Sequence, residues 1–128
     1  MTTPTRSALE DLVRRFTDAF NRDDLDGVMA FFADDAVYDE FNGRRSEGTA
    51  AIRAAFVPQF RGDFGRIRFL TEDLFVDAES GKALIRWVCA LEADGRTRRW
   101  RGLDILHWVD GRLTEKHTYA KAERPLLS

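Results

Sequence analysis

Asp104 is a lone carboxylate within Trp100-Arg101-Gly102-Leu103-Asp104-Ile105-Leu106-His107-Trp108-Val109, a run that otherwise reads as a strand. Two-residue alternation places Trp100, Gly102, Asp104, Leu106 and Trp108 on one face, among large apolar groups where an ionised acid is poorly solvated. Such a carboxyl is paired or neutral, and a neutral acid in an apolar pocket can donate a hydrogen bond to a substrate oxygen. The competing reading bonds Asp104 to an arginine or a backbone amide, where it only fixes the sheet. Trp87, Cys89 and Leu91 alternate with Ile85 on a neighbouring run and line the same cavity with Trp100, Leu106 and Phe56. Walls of Trp and Phe select a flat, hydrophobic small molecule. Cys89 in such company keeps a raised pKa and is inert. Arg96, Arg98, Arg99 and Arg101 form the basic cluster. It serves a solvated hairpin or a dimer contact, or else Arg98, on the Asp104 face, receives a substrate carboxylate at the pocket mouth. His107 is out of phase with Asp104 and faces outward or into a subunit contact. Two histidines without matching carboxylate spacing make a poor metal site, so no metal and no cofactor are expected.

With 128 residues, 44% hydrophobic content and ten Phe, the chain can enclose one core, and a single domain over 1–128 is expected. Its 20 basic and 22 acidic residues nearly cancel, which gives no general attraction to nucleic acid or to membrane surfaces. One cysteine excludes an internal disulfide framework and fits a reducing cytoplasm. The first residues lack an apolar stretch of signal-peptide length, and no segment approaches the ~20 apolar residues of a membrane span. A cytoplasmic protein is expected.

Ser7-Ala8-Leu9-Glu10 forms a capping-box pattern, and Leu9, Leu12, Val13, Phe16 and Phe20 follow at helical spacing, predicting a helix from about Pro4 to Asn21. Leu25, Val28, Met29 and Phe32 predict a second short helix ending near Ala33. Val37-Tyr38-Asp39-Glu40-Phe41 reads as a short strand, and Asn42-Gly43 with Gly48 brackets a loop before a helix from Thr49 to about Phe60. Four runs then follow near Arg66–Val76, Lys82–Ala93, Arg96–Trp108 and Arg112–Lys121, the last two joints being Asp94-Gly95 and Asp110-Gly111 hairpin signals. Helices first and an antiparallel meander afterwards imply an α+β domain whose helices cover one face of a curved sheet. A frayed tail containing Pro125 follows Lys121.

This order resembles the nuclear transport factor 2-like superfamily of cone-shaped α+β domains, which includes SnoaL-like and ketosteroid isomerase-like members. The likeness is carried by Ala19-Phe20-Asn21, Asp24-Leu25-Asp26-Gly27, Phe31-Phe32-Ala33-Asp34-Asp35-Ala36 and Gly48-Thr49-Ala50-Ala51-Ile52-Arg53. Asp94-Gly95-Arg96 through Asp104 and on to Asp110-Gly111-Arg112-Leu113 extends it over nearly the whole chain. Within the superfamily the chain looks most like the ketosteroid isomerases. That likeness places Glu40 at the general-base position and Asp104 at the protonated oxyanion donor, while the tyrosine that completes the oxyanion hole falls at Phe16. A one-residue register shift would turn Glu40 outward and bring Asp39 in. The family's pocket is partly lined by the last strand, where His117 and Tyr119 share a face with Leu113 and Glu115. His117 then replaces the missing tyrosine, acts as base, or is a hydrogen-bonded rim residue. Tyr38, in phase with Glu40, offers its hydroxyl to the ligand or is ordinary core.

Two functions follow as expectations. One is a cofactor-independent isomerase, dehydratase or cyclase acting by proton transfer beside a carbonyl, with Glu40 or His117 as base and Asp104 as donor. The other is a ligand-binding or dimerisation module without turnover. In either case the outer sheet face, with Val88, Leu103, Ile105 and Val109, needs a cover, and a homodimer packed sheet to sheet supplies it.

Overall fold

The computed structural model describes residues 4–121; the tail expected after Lys121 lies outside them. Helix α1 (Arg6–Asn21) buries Leu9, Val13, Phe16 and Phe20, the stripe its helical spacing predicts. Its cap is Thr5, whose Oγ1 accepts from the Ala8 N–H at 3.1 Å, so the cap lies two residues ahead of the Ser7 pattern. The last residue of α1 locks onto the sheet: Asn21 donates to the Phe69 carbonyl at 2.9 Å and accepts from the Phe69 N–H at 2.8 Å. Asp24 caps α2 (Leu25–Met29) by accepting from Gly27 N–H at 2.9 Å. Helix α2 ends before the expected Ala33 because Phe32 opens strand β1 (Phe32–Asp39), where its ring is 1% exposed.

Strand β2 (Arg45–Glu47) occupies the segment expected to be loop, and α3 (Thr49–Arg61) follows it. The remaining strands are β3 (Arg66–Asp77), β4 (Lys82–Ala93), β5 (Arg96–Val109) and β6 (Arg112–Ala120), close to the predicted runs. They form the expected antiparallel meander, but the sheet is larger than four strands. Its order is β2-β1-β6-β5-β4-β3, with β1 lying parallel to β6. The two hairpin joints are two-residue turns, Ala93 pairing with Arg96 and Val109 with Arg112. Asp94, Gly95, Asp110 and Gly111 all have positive φ, the type I′ geometry that matches strand twist.

One irregularity in β6 decides which side chains face the core. Glu115 pairs with His107 and Leu113 with Trp108, leaving Thr114 without an opposite residue, and its hydroxyl donates to the His107 carbonyl at 3.0 Å. This bulge inverts the alternation of everything after it. The helices cover the face carrying Ile85, Trp87, Cys89, Leu106 and Trp108, and these join the α1 stripe in one apolar core. No helix among the described residues is long and apolar enough to cross a membrane.

Close packing at the β4–β5 pair leaves room for a single hydrogen at Gly102, opposite Trp87. A Cβ there would fall 2.4 Å from the Trp87 ring and 2.5 Å from the Tyr119 carbonyl oxygen. Gly102→Ala is therefore expected to destabilise the fold by about 1–3 kcal/mol. Urea denaturation checks this, and an unchanged midpoint would contradict the packing described.

Candidate functional site

Between the helices and the covered sheet face lies a cavity of about 470 Å³. Its walls are Phe16 and Phe20 from α1, Phe56 from α3, and Phe69, Trp87 and Trp100 from successive strands. Cys89 also lines it, and burial pushes its thiol up to about 12, which keeps it unreactive. The mouth lies between the β1–β2 turn and the segment after α3, where Phe41 and Phe64 are more than half exposed.

A small number of polar groups interrupt the apolar lining. Asp104 is 8% exposed and Lys116 5%, and the Lys116 Nζ donates to Asp104 Oδ1 at 2.9 Å. The same ammonium donates to Thr118 Oγ1 at 2.7 Å, and the Thr118 hydroxyl in turn donates to Asp104 Oδ1. The Trp87 indole donates to Asp104 Oδ2 at 3.0 Å. Indole and ammonium nitrogens can only donate, so both carboxyl oxygens of Asp104 act as acceptors. This corrects the expectation of a free, neutral Asp104 donor: the carboxyl is clasped, and the donor that faces the cavity is Lys116. The ammonium also lies 4.7 Å from the Tyr38 ring centroid and 5.9 Å from that of Phe20, a favourable placement over the negative faces of both rings.

Tyr38 and Glu40 flank this network on the β1 side, and both line the cavity. Tyr38 stacks on Phe56 with centroids 4.8 Å apart. Burial lifts its phenol well above the ordinary range, and the negative charges of Asp104 and Glu40 lift it further, so it stays protonated. Burial likewise raises Glu40 above the usual carboxylate value, opposed by the charges of Arg44 and Lys116. The choice between Asp39 and Glu40 is resolved by geometry. Asp39 Oδ2 lies 2.9 Å from His117 Nδ1, on the uncovered side of the sheet.

Several expected site residues stand elsewhere. The Thr114 bulge turns Lys116 and Thr118 inward and sends His117 and Tyr119 to the uncovered face. There His117 Nε2 contacts Glu115 Oε1 at 3.2 Å, and Tyr119 is 56% exposed. Arg98 is exposed on the β4–β5 hairpin, away from the cavity lining, and Leu106 is sealed in the core rather than at the cavity wall. Phe16, Phe56, Trp87, Cys89 and Trp100 line the cavity. Lys116 and Thr118 were not singled out, because unbroken alternation from Leu113 assigns them to the outside. No pattern in the sequence marks the bulge.

A six-stranded sheet with three helices over one face and a chamber between them defines an α+β domain of the fold expected from the sequence. The chain belongs to the SnoaL-like domain family, whose model matches residues 13–116. It is similar to a solved candidate polyketide cyclase of Xanthomonas campestris pv. campestris, at 26% identity over 91% of this chain and 92% of that one, with TM-score 0.80. A candidate polyketide cyclase of Pseudomonas putida KT2440 shares the fold at 19% identity over 88% and 91% of the two chains, with TM-score 0.75. So does a protein of unknown function from Mesorhizobium loti, at 23% identity over 95% and 98%, with TM-score 0.77.

Removing one member of a buried ion pair leaves the other uncompensated, which costs about 3–5 kcal/mol, whereas replacing both by apolar groups is far milder. Lys116→Met and Asp104→Leu are each expected to lose stability on that scale, and the double variant clearly less than their sum. A double-mutant cycle in guanidinium chloride measures the coupling, and additive losses would show that the pair is not the unit described.

Proposed function

We propose that the chamber binds a flat, hydrophobic carbonyl compound and moves a proton at the carbon beside its carbonyl, as a cofactor-independent isomerase, dehydratase or cyclase. The observation that carries this reading is the Lys116 ammonium, held inside an apolar chamber by Asp104 and Thr118. An ammonium has three donors, and these two contacts leave one for a ligand oxygen. Glu40 is the base. Its carboxylate takes the proton, the C–H electron pair forms the new C=C bond, and the carbonyl π pair moves onto oxygen. Lys116, with the protonated Tyr38 hydroxyl beside it, stabilises that oxyanion in a low-dielectric site. Glu40 then returns the proton to the original carbon or to a conjugated one, the latter giving the rearranged isomer. Asp104 acts through Lys116, as a positioning residue. The likeness to candidate polyketide cyclases supports the substrate's carbonyl character.

The bicyclic ketone 2-tetralone in D2O provides the test. The protein is expected to accelerate deuterium exchange at its α-carbon, followed by NMR, with a rate that rises with pH through a midpoint above 4.5, since burial raises Glu40. Glu40→Gln should lower the rate by about 100-fold or more while the ketone still binds. Binding without exchange faster than an equal concentration of acetate would replace the enzyme reading with that of a ligand-binding module.

We further infer a homodimer that closes the uncovered sheet face. Leu70, Phe75, Ile105 and Tyr119 are exposed there, each from 38% to 56%. The same face carries both charge signs, as in the Arg101–Glu72 pair at 2.9 Å, so a copy turned by twofold symmetry meets charges it can match. Analytical ultracentrifugation should find a dimer that Ile105→Lys converts to monomer. A monomeric parent protein would end the inference.

A further inference from the structure

The chamber has two cations in its lining, and they are differently placed. Lys116 lies at depth and is matched by Asp104. Arg44 lies at the mouth, exposed, and forms no ion pair among the described residues. Its neighbour Arg45 is satisfied by Asp39 Oδ2 at 3.5 Å and Glu47 Oε1 at 3.1 Å. The turn that carries Arg44 is braced by its own hydrogen bonds. Glu40 N–H donates to the Arg44 carbonyl at 2.8 Å, Gly43 N–H to the Glu40 carbonyl at 3.0 Å, and Arg44 N–H to Asn42 Oδ1 at 3.0 Å. Gly43 adopts a φ of 84°, a value that suits glycine. A guanidinium rooted in a braced turn and facing an apolar chamber is a fork for a planar anion.

We infer that the natural occupant is a hydrophobic ring compound bearing a carboxylate at its outer end, and that Arg44 receives this carboxylate at the mouth. This rests on the reading of the chamber as a ligand site and names the ligand's class. The ring fills the space among Phe20, Phe56, Trp87 and Trp100, its reacting carbonyl lies toward Lys116, and the carboxylate stays near solvent. Desolvation there is small and a bidentate pair with Arg44 is available. The role assigned from the sequence to Arg98 thus passes to a residue of the β1–β2 turn.

Binding of 2-naphthoate and of 2-acetylnaphthalene, two probes with one ring system that differ in charge, tests the inference by calorimetry. The parent protein should prefer 2-naphthoate, and Arg44→Ala should weaken its binding about tenfold, leave 2-acetylnaphthalene unchanged and abolish the preference. Arg44→Lys should restore part of it, and Arg98→Ala should change nothing. Circular dichroism confirms that each variant is folded. A preference that is absent, survives in Arg44→Ala, or disappears in a folded Lys116→Met instead would overturn the inference while leaving the chamber as a ligand site. If neither probe binds, the chamber reading fails and takes this inference with it.

Discussion

An ammonium and a carboxylate buried side by side in an apolar chamber set the conditions for the rest of this molecule. Neither charge could be held there alone, since the desolvation of an isolated buried ion far exceeds any packing gain. Asp104 stands on β5 and Lys116 on β6, so their contact ties the central strands of the sheet through side chains as well as through the backbone ladder. Trp87 extends the tie to β4, and Thr118 relays a hydrogen bond between the two charged groups. The rings of Tyr38 and Phe20 also lie near the ammonium, with centroids 4.7 and 5.9 Å away. A fully connected polar network of this kind is rigid, and rigidity in a low-dielectric setting gives a hydrogen-bond donor its catalytic value.

The apolar walls and the polar network come from different parts of the chain and have different jobs. Phe16, Phe20 and Phe56 lie on helices, where a turn-by-turn stripe buries them regardless of what fills the chamber. The network lies on β4, β5 and β6, whose spacing is fixed by the sheet. Substitutions among the helical rings would alter the chamber's shape while leaving its charges in place. This division lets one fold take up many ligands without rebuilding its sheet.

Much of this architecture is legible in the chain. The Asp-Gly joints marked both later hairpins, and alternation from Trp100 to Trp108 ran unbroken, which put Asp104 on the inner face. The helical stripe of α1 was equally plain. The parallel pairing of β1 with β6 was not, because it joins segments far apart in the chain and no local propensity reports it. Lys116 escaped for a related reason. Period-two reasoning from Leu113 sends it outward, and one unopposed residue, Thr114, reverses that assignment. The partner of Asp104 was thus hidden by backbone geometry. Knowing that the acid faced inward was not enough to say whether it gave or received a hydrogen bond.

Thr114 also decides which reactive groups the chamber holds. Excising that single residue would leave the inward set as it is, whereas drawing Thr114 into the ladder opposite His107 would slide the rest of β6 by one residue and exchange its two sets of substituents. In that slipped register His117 would lie opposite Asp104 and Tyr119 opposite Gly102, bringing an imidazole and a phenol to the chamber in place of the ammonium and hydroxyl now there. A one-residue change of register in such a strand exchanges a whole reactive toolkit at once, which stepwise side-chain replacement cannot do.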